Sequence, residues 1–298
     1  MKWKRSLSQN KKKISFYQFL FFVFSFISLP SFSFSQTAEQ TLAYAQWNYS
    51  KNNFAASVES CERVIYFDNK KKVLASAYLQ LANSFLKQNY LDSAVENFSK
   101  VKWYADPQDS IALEAEFGKI ACHILRNDPH FAMMSLMDMK GDMPLFFQRK
   151  KIFYKAVIFF KINKFSSSER GFIELLNNAD TVEVKKIFTD LNETLRKVKP
   201  RKARILSMIV PGAGQLYLGD YKNAVNSFLL NAAIITAGVH FATVYTVADA
   251  YLFTANWFWR YYKGGFLKTK MHADTLLSNA KNSSLLQLME LTEKAVSQ

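Results

Sequence analysis

The side chains able to do chemistry are few and scattered. None of the four histidines, His123, His130, His240 and His272, has a second histidine at the i, i+4 spacing that puts two metal ligands on one helix face. Cys61 and Cys122 are the only cysteines and show no metal-ligand spacing. They either pair in an oxidising compartment or sit as buried free thiols at apolar helical positions. Asp138, Asp142 and Glu169 lack partners at a spacing useful for paired-carboxylate acid–base work. Gly212-Ala213-Gly214 is not a dinucleotide loop: no strand precedes it, and Leu216-Tyr217 stands where the third glycine belongs. There is no Walker loop, no Gly-x-Ser-x-Gly elbow and no His-Glu-x-x-His. Asn48, Asn97, Asn192 and Asn282 begin Asn-x-Ser/Thr sequons, which matter only in a glycosylating secretory pathway. The expectation is a non-enzyme with no cofactor, no metal and no small-molecule substrate. The one ionisable residue of interest is Asp249, set among apolar residues with Asn231, His240 and Asn256 nearby. Inside a bilayer it would be a functional group; at a membrane edge it is merely a helix end.

Asp249 belongs to a membrane-type stretch. From Asn223 to Ala248 there is no Asp, Glu, Lys or Arg, and about 26 uncharged residues exceed the roughly 20 that cross a hydrocarbon core as a helix. A second apolar, aromatic stretch runs from Tyr251 to Trp259, before Arg260-Tyr261-Tyr262-Lys263. Taken as one helix, Asn223 to Trp259 would be roughly 55 Å long, well beyond a core of about 30 Å. Either one helix spans and an interfacial aromatic helix follows, or two short helices form a hairpin near Ala237-Gly238. A third reading makes the uncharged run a buried core helix of a soluble basic protein. Upstream lie the basic stretch from Lys197 to Arg204, a short apolar run from Ile205 to Val210, and a break at Pro211-Gly212-Ala213-Gly214. Gln215, Tyr217 and Tyr221 are amphipathic groups suited to a membrane interface.

The N-terminus reads as an export signal. Lys2, Lys4, Arg5, Lys11, Lys12 and Lys13 form a positive n-region, Ile14 to Leu29 is apolar, and Ser31 to Ser35 offers small residues before Gln36. The alternative is an uncleaved signal-anchor. The formal net charge is +15, and setting aside those six cations leaves about +9. The remaining clusters do not alternate with aromatics as a nucleic-acid groove would, and the densest abuts the apolar run, where cations meet lipid head groups. Nucleic acid is therefore not an expected partner.

Between Gln36 and Lys199 the apolar residues recur at helical spacing with few Gly or Pro. The clearest unit places Tyr78, Leu81, Ala82 and Phe85 on one helix face, then a turn at Lys87-Gln88-Asn89, then Ala94, Phe98 and Val101 on a second helix, closed by Asp106-Pro107. This unit resembles a tetratricopeptide repeat, a helix-turn-helix of about 34 residues, with Tyr78, Leu81, Ala82, Phe85, Ala94 and Phe98 at its favoured positions and Pro107 displaced by one. Degraded echoes lie at Lys51 to Val64, at Ile111 to Met139 with Gly118, Ala121 and Phe131 in place, and at Ile152 to Leu175 around the turn Lys161-Ile162-Asn163-Lys164-Phe165. The competing reading is an irregular helical bundle. Such arrays present a concave surface to peptides or proteins, and Trp47, Tyr49 and Tyr104 are candidate anchors. An amphipathic helix from Asp180 to Val198 would cap the array.

The stretch with Ser207, Pro211, Gly212, Gly214, Gln215, Tyr217, Gly219 and Tyr221 resembles an uncharacterised bacterial membrane-domain family, with a basic lead-in, a Pro-Gly-x-Gly-Gln-x-Tyr turn and two hydrophobic segments. The resemblance implies membrane residence and no chemistry. The expected fold is all-α: a tetratricopeptide-like helical-hairpin solenoid followed by a C-terminal membrane module. The expected division is a signal over 1–35, repeats over 36–199, a membrane-associated module over 200–270 and a polar helix or tail over 271–298. The expected function is an exported, membrane-anchored envelope protein, most readily periplasmic, whose repeats recruit protein or peptide partners. The alternative is a membrane module assisting transport or membrane-protein biogenesis, with the repeats as its docking arm.

Overall fold

The computed structural model describes residues 36–68, 71, 73–176 and 181–297. The signal segment expected over 1–35 lies outside the described residues. All regular structure among the described residues is helical, so the fold is all-α. Eight helices come first: α1 (Ala38–Ser50), α2 (Phe54–Phe67), α3 (Leu74–Lys87), α4 (Leu91–Val101), α5 (Ser110–Leu125), α6 (Pro129–Asp138), α7 (Leu145–Lys161) and α8 (Phe165–Leu175). Each packs on the next, and the first helices of successive hairpins, α1, α3, α5 and α7, also touch in sequence.

One turn geometry recurs through this stack. Asn52, Asn89, Asn127 and Asn163 all adopt left-handed φ of 60° to 63°, at intervals of about 37 residues. After each, the next N–H reaches back to a carbonyl in the preceding helix: Asn53 to Asn48 at 2.9 Å, Tyr90 to Phe85 at 2.9 Å, Asp128 to His123 at 2.9 Å, and Lys164 to Phe159 at 2.8 Å. This is the Schellman C-cap, which satisfies carbonyls the helix end leaves bare. Asn tolerates the left-handed region better than other L-residues because its short amide bonds locally. Asn89→Ala should therefore destabilise the chain by about 1 kcal/mol while Asn89→Gly does not. Equal denaturation midpoints for the two variants would show that the turn is not under this constraint.

Small residues set the helix separations. Ala82 and Ala94 are fully buried where α3 meets α4, Leu81 and Phe98 are buried beside them, and Tyr78 and Phe85 pack partly buried against the same core. Gly118 of α5 lies directly against the Phe98 ring, leaving no space for a side chain. Tyr104 stacks on Tyr78 with ring centroids 5.5 Å apart, so it packs within the stack, whereas Trp47 is exposed. Pro107 sits exposed in the link from α4 to α5. The weaker unit departs from expectation in one residue: Phe131 is 58% exposed, and Ala132 is the residue that α6 turns inward.

The stack ends at α9 (Thr181–Lys197), which buries Val184, Ile187, Phe188 and Leu191 against α7 and α8. That helix does not close the core alone. Leu288 and Leu291, from the far C-terminus, complete the same cluster, and Lys281 Nζ donates to Asn163 Oδ1 at 2.7 Å. These residues belong to a single helix of 51 residues, α13 (Val247–Ser297), roughly 76 Å long at about 1.5 Å per residue. No helix break falls at residues 270/271.

Between α9 and α13 lie α10 (Pro200–Ile209), the short α11 (Ala213–Tyr217) and α12 (Tyr221–Val244). α12 has 24 residues and a mean hydropathy of 1.6 over its most apolar window, of which 6% is buried within the chain. The core-helix reading of the uncharged run therefore fails: a core helix is covered by its own protein, and this one is long and apolar enough to cross a membrane. The chain turns at Tyr245-Thr246, later than Ala237-Gly238, and α13 returns along α12. Phe253 stacks on Phe241 near the tip at 5.8 Å, Thr254 lies against Gly238, and Gly265 lies against Ser227 near the base. Gly238 is thus a site of close helix approach and not the turn.

Candidate functional site at the base of the apolar hairpin

The turn motif 211–219 folds into a buried knot that joins α10, α11 and α13. Ser207 Oγ donates to Gln215 Oε1 at 2.9 Å, accepts the Gly214 N–H at 3.0 Å, and lies 3.1 Å from Thr269 Oγ1. Thr269 donates in turn to the Gly265 carbonyl at 2.8 Å, and Gln215 Nε2 reaches that carbonyl at 3.4 Å. Buried polar groups cost heavily when unpaired, and this set is closed on itself. Gln215 is 6% exposed, which corrects its expected interfacial position: its amide is the bridge inside the knot. Tyr217 donates its hydroxyl to the Lys197 carbonyl, and Lys202 sits over its ring at 5.0 Å. Tyr221 is exposed. Tyr262 donates to the Met208 carbonyl at 2.6 Å, tying α13 to α10 from the other side.

The glycines explain why the motif has its composition. Gly212 lies against the Ala224 carbonyl at the start of α12, and Gly214 against the Ala203 carbonyl of α10. Gly219, with φ +80°, is followed by an Asp220 N–H bond to Gln215 O at 2.9 Å. This is the same Schellman turn as at the four asparagines. Pro211 stands between the end of α10 and this knot. Asp220 then caps α12, accepting from Asn223 N at 3.3 Å and from Asn223 Nδ2 at 2.7 Å. The Asn223 side chain is the chief reason that the Asp220 carboxyl sits below the ordinary carboxylate range, with burial opposing.

At the opposite end of the hairpin, Asp249 lies in the first turn of α13. Thr246 Oγ1 donates to Asp249 Oδ2 at 2.7 Å and accepts the Asp249 N–H at 3.2 Å. Carboxylates are stabilised at such helix starts. Asn231 instead lies part-way down α12, its Nδ2 bonded to Ser227 O at 2.7 Å. The structure does not gather Asp249 and Asn231 into one group.

The outer faces of the hairpin are apolar and bare: Val225, Phe228, Leu229, Ile235 and Val239 on α12, and Leu252, Phe253, Trp257 and Trp259 on α13 are all exposed. At its base, an open cleft of about 650 Å³ lies between the two helices, lined by Arg260, Lys268 and His272 of α13 and by Asp220, Asn226 and Ser227. Thr269, Gly265 and Tyr262 of the knot, and the cation pair of the cleft, were not singled out from sequence. The knot partners Ser207, Gln215 and Met208 lie 50 or more residues before Thr269, Gly265 and Tyr262, so no local spacing announces them. The chain matches no family model, and comparison with curated proteins and with solved structures yields no match.

Proposed function

We propose that the chain is a non-enzymatic, exported envelope protein, anchored in a membrane by the α12/α13 hairpin, whose tetratricopeptide-like array recruits protein or peptide partners. The observation that carries this reading is one exposed apolar helix of membrane-crossing length, α12, paired with α13, which runs unbroken to the last core cluster of the helix stack. Apolar faces of this size are not left to water by a soluble chain. The repeated Asn-centred turn supports a regular array over an irregular bundle, and regular arrays work through extended surfaces. One such surface is a groove between α2, α3 and α4 lined by Glu62, Tyr66, Tyr78, Phe85 and Lys100, with Tyr66 79% exposed at its edge. The hairpin brings both basic flanks, Lys197–Arg204 and Arg260–Lys270, to the side of the array. The positive-inside rule alone would put that side in the cytoplasm; in this reading the N-terminal export signal overrides it.

Cysteine accessibility in intact cells tests the anchor. Burial pushes the Cys61 thiol up to about 12 and the Cys122 thiol up to about 11, so the native pair stays unlabelled. Single cysteines at Gln108 and Ser278 should label from outside, and one at Tyr245, on the hairpin tip, only after the membrane is opened. Gln108 and Ser278 labelling from opposite sides would sink the hairpin anchor. In the same cells, a photo-crosslinking residue at Tyr66 should give adducts larger than the chain alone, and their complete absence would count against recruitment.

A further inference from the structure

The cleft at the hairpin base has a charge pattern that the anchor and the array do not explain. Arg260 and Lys268 both line it, and among the described residues neither has a carboxylate partner. The single acid of the lining, Asp220, is engaged by Asn223 through both oxygens. The Asn226 amide and the Ser227 hydroxyl complete the wall with groups able to donate. Arg260 and Lys268 against Asp220 leave one more cation than anion among these three side chains. That balance suits one monoanion better than a dianion.

Depth narrows the ligand. Counting from Thr246 at the hairpin tip, Arg260 lies roughly 21 Å and Lys268 roughly 33 Å along α13 at about 1.5 Å per residue. A hydrocarbon core of about 30 Å ends between them. The cleft therefore straddles that edge. Arg260 starts about 9 Å on its apolar side and Lys268 just beyond it, both long enough to extend toward the lipid phosphates. Exposed Trp257 and Trp259 lie further into the apolar side. A guanidinium and an ammonium two turns apart on one helix, about 12 Å along its axis, can reach toward one phosphate from opposite sides on their long side chains, Arg by its planar fork and Lys as a point charge.

We propose that this cleft binds an anionic phosphodiester, the headgroup of an anionic membrane lipid, held by Arg260 and Lys268 with Asn226 and Ser227 as neutral donors. The source of the phosphate as a lipid rests on the membrane-anchored reading; the anion site itself does not. The test uses the full chain in nonionic detergent, titrated with phosphatidylglycerol, phosphatidylcholine and inorganic phosphate, with bound adducts counted by native mass spectrometry. One phosphatidylglycerol per chain should be retained, at least about tenfold more tightly than phosphatidylcholine. The double variant Arg260→Gln/Lys268→Gln should weaken that binding by about tenfold or more, and Lys222→Gln, outside the lining, should leave it unchanged. Inorganic phosphate binding in place of the lipid would keep the anion site and move its source to solution. Phosphatidylglycerol held no better than phosphatidylcholine with inorganic phosphate inert, or binding indifferent to the double variant, would overturn the site. Flotation with phosphatidylcholine vesicles separates the two readings: a chain that stays at the bottom of the gradient loses its anchor, while the phosphate titration still reports on the cleft.

Discussion

Gly214→Ala is expected to destabilise the knot by about 3 kcal/mol or more, although it adds one methyl group. The new carbon would overlap the Ala203 carbonyl oxygen and crowd Ser207 Oγ and the Thr269 methyl. Backbone of α10 cannot swing aside as a flexible side chain would, so relief requires α10 and α11 to part. Overpacking alone costs about 1–3 kcal/mol. Separation would also strip Ser207, Gln215 and Gly214 of their buried hydrogen bonds, each worth about 1–3 kcal/mol when left unmade. Gly219→Ala is the matched control. No atom lies within 4 Å of its added methyl, and only its φ of +80° resists substitution, so its cost should stay near 1–2 kcal/mol. Thermal unfolding of the full chain in detergent, followed by limited proteolysis at the α10–α11 link, reads both. Equal melting of the Gly214 variant and the parent would mean that the close approach is not a constraint.

The second large effect lies at the other end of α13. Leu288 is fully buried among Phe188, Leu191 and the end of the helix stack. Leu288→Ala should cost about 2–5 kcal/mol, the usual range for emptying a buried leucine site. Leu286, two positions earlier and 60% exposed, should tolerate alanine within about 0.5 kcal/mol. Hydrogen exchange adds location: amides of α9 should lose protection in the Leu288 variant and not in the Leu286 variant. If both behave alike, the C-terminal segment does not close the stack.

These two sites also mark the limit of what sequence alone displays. The helical period between residues 36 and 199 is visible because each helix buries one face, and the turns are visible because Asn89 and Asn163 stand where a chain must go left-handed. The hairpin is visible in outline because charge is absent from Asn223 to Ala248. The sequence leaves the turn open, because Gly238 reads equally as a breaker or as a close-contact residue; only the Thr254 neighbour decides, and it sits on the returning helix. Gln215 read as interfacial for the same reason: an amide beside apolar residues looks amphipathic until Ser207 and the Gly265 carbonyl are found beside it. The C-terminal segment carries its own period, with Ser284, Leu288, Leu291 and Thr292 buried on one face. Periodicity says that such a face is covered and not by what; here the cover is a core nearly a hundred residues earlier. Phe131 shows the converse, an aromatic at a plausible inward position displaced by its smaller neighbour Ala132.

The continuity of α13 has a mechanical consequence. Thr269, fixed in the knot, and Leu288, fixed in the stack, ride on the same rod about 28 Å apart. An α-helix turns about 100° for each residue, so the number of residues between these two anchors sets the azimuth at which the array's groove faces, as well as its height above the hairpin. α9 and α10 bridge the same interval from the other side of the knot and close a loop of linked helices around it. Twisting one end against the other would strain both paths at once. A tilt of the hairpin is therefore expected to carry the α8/α9 end of the stack with it.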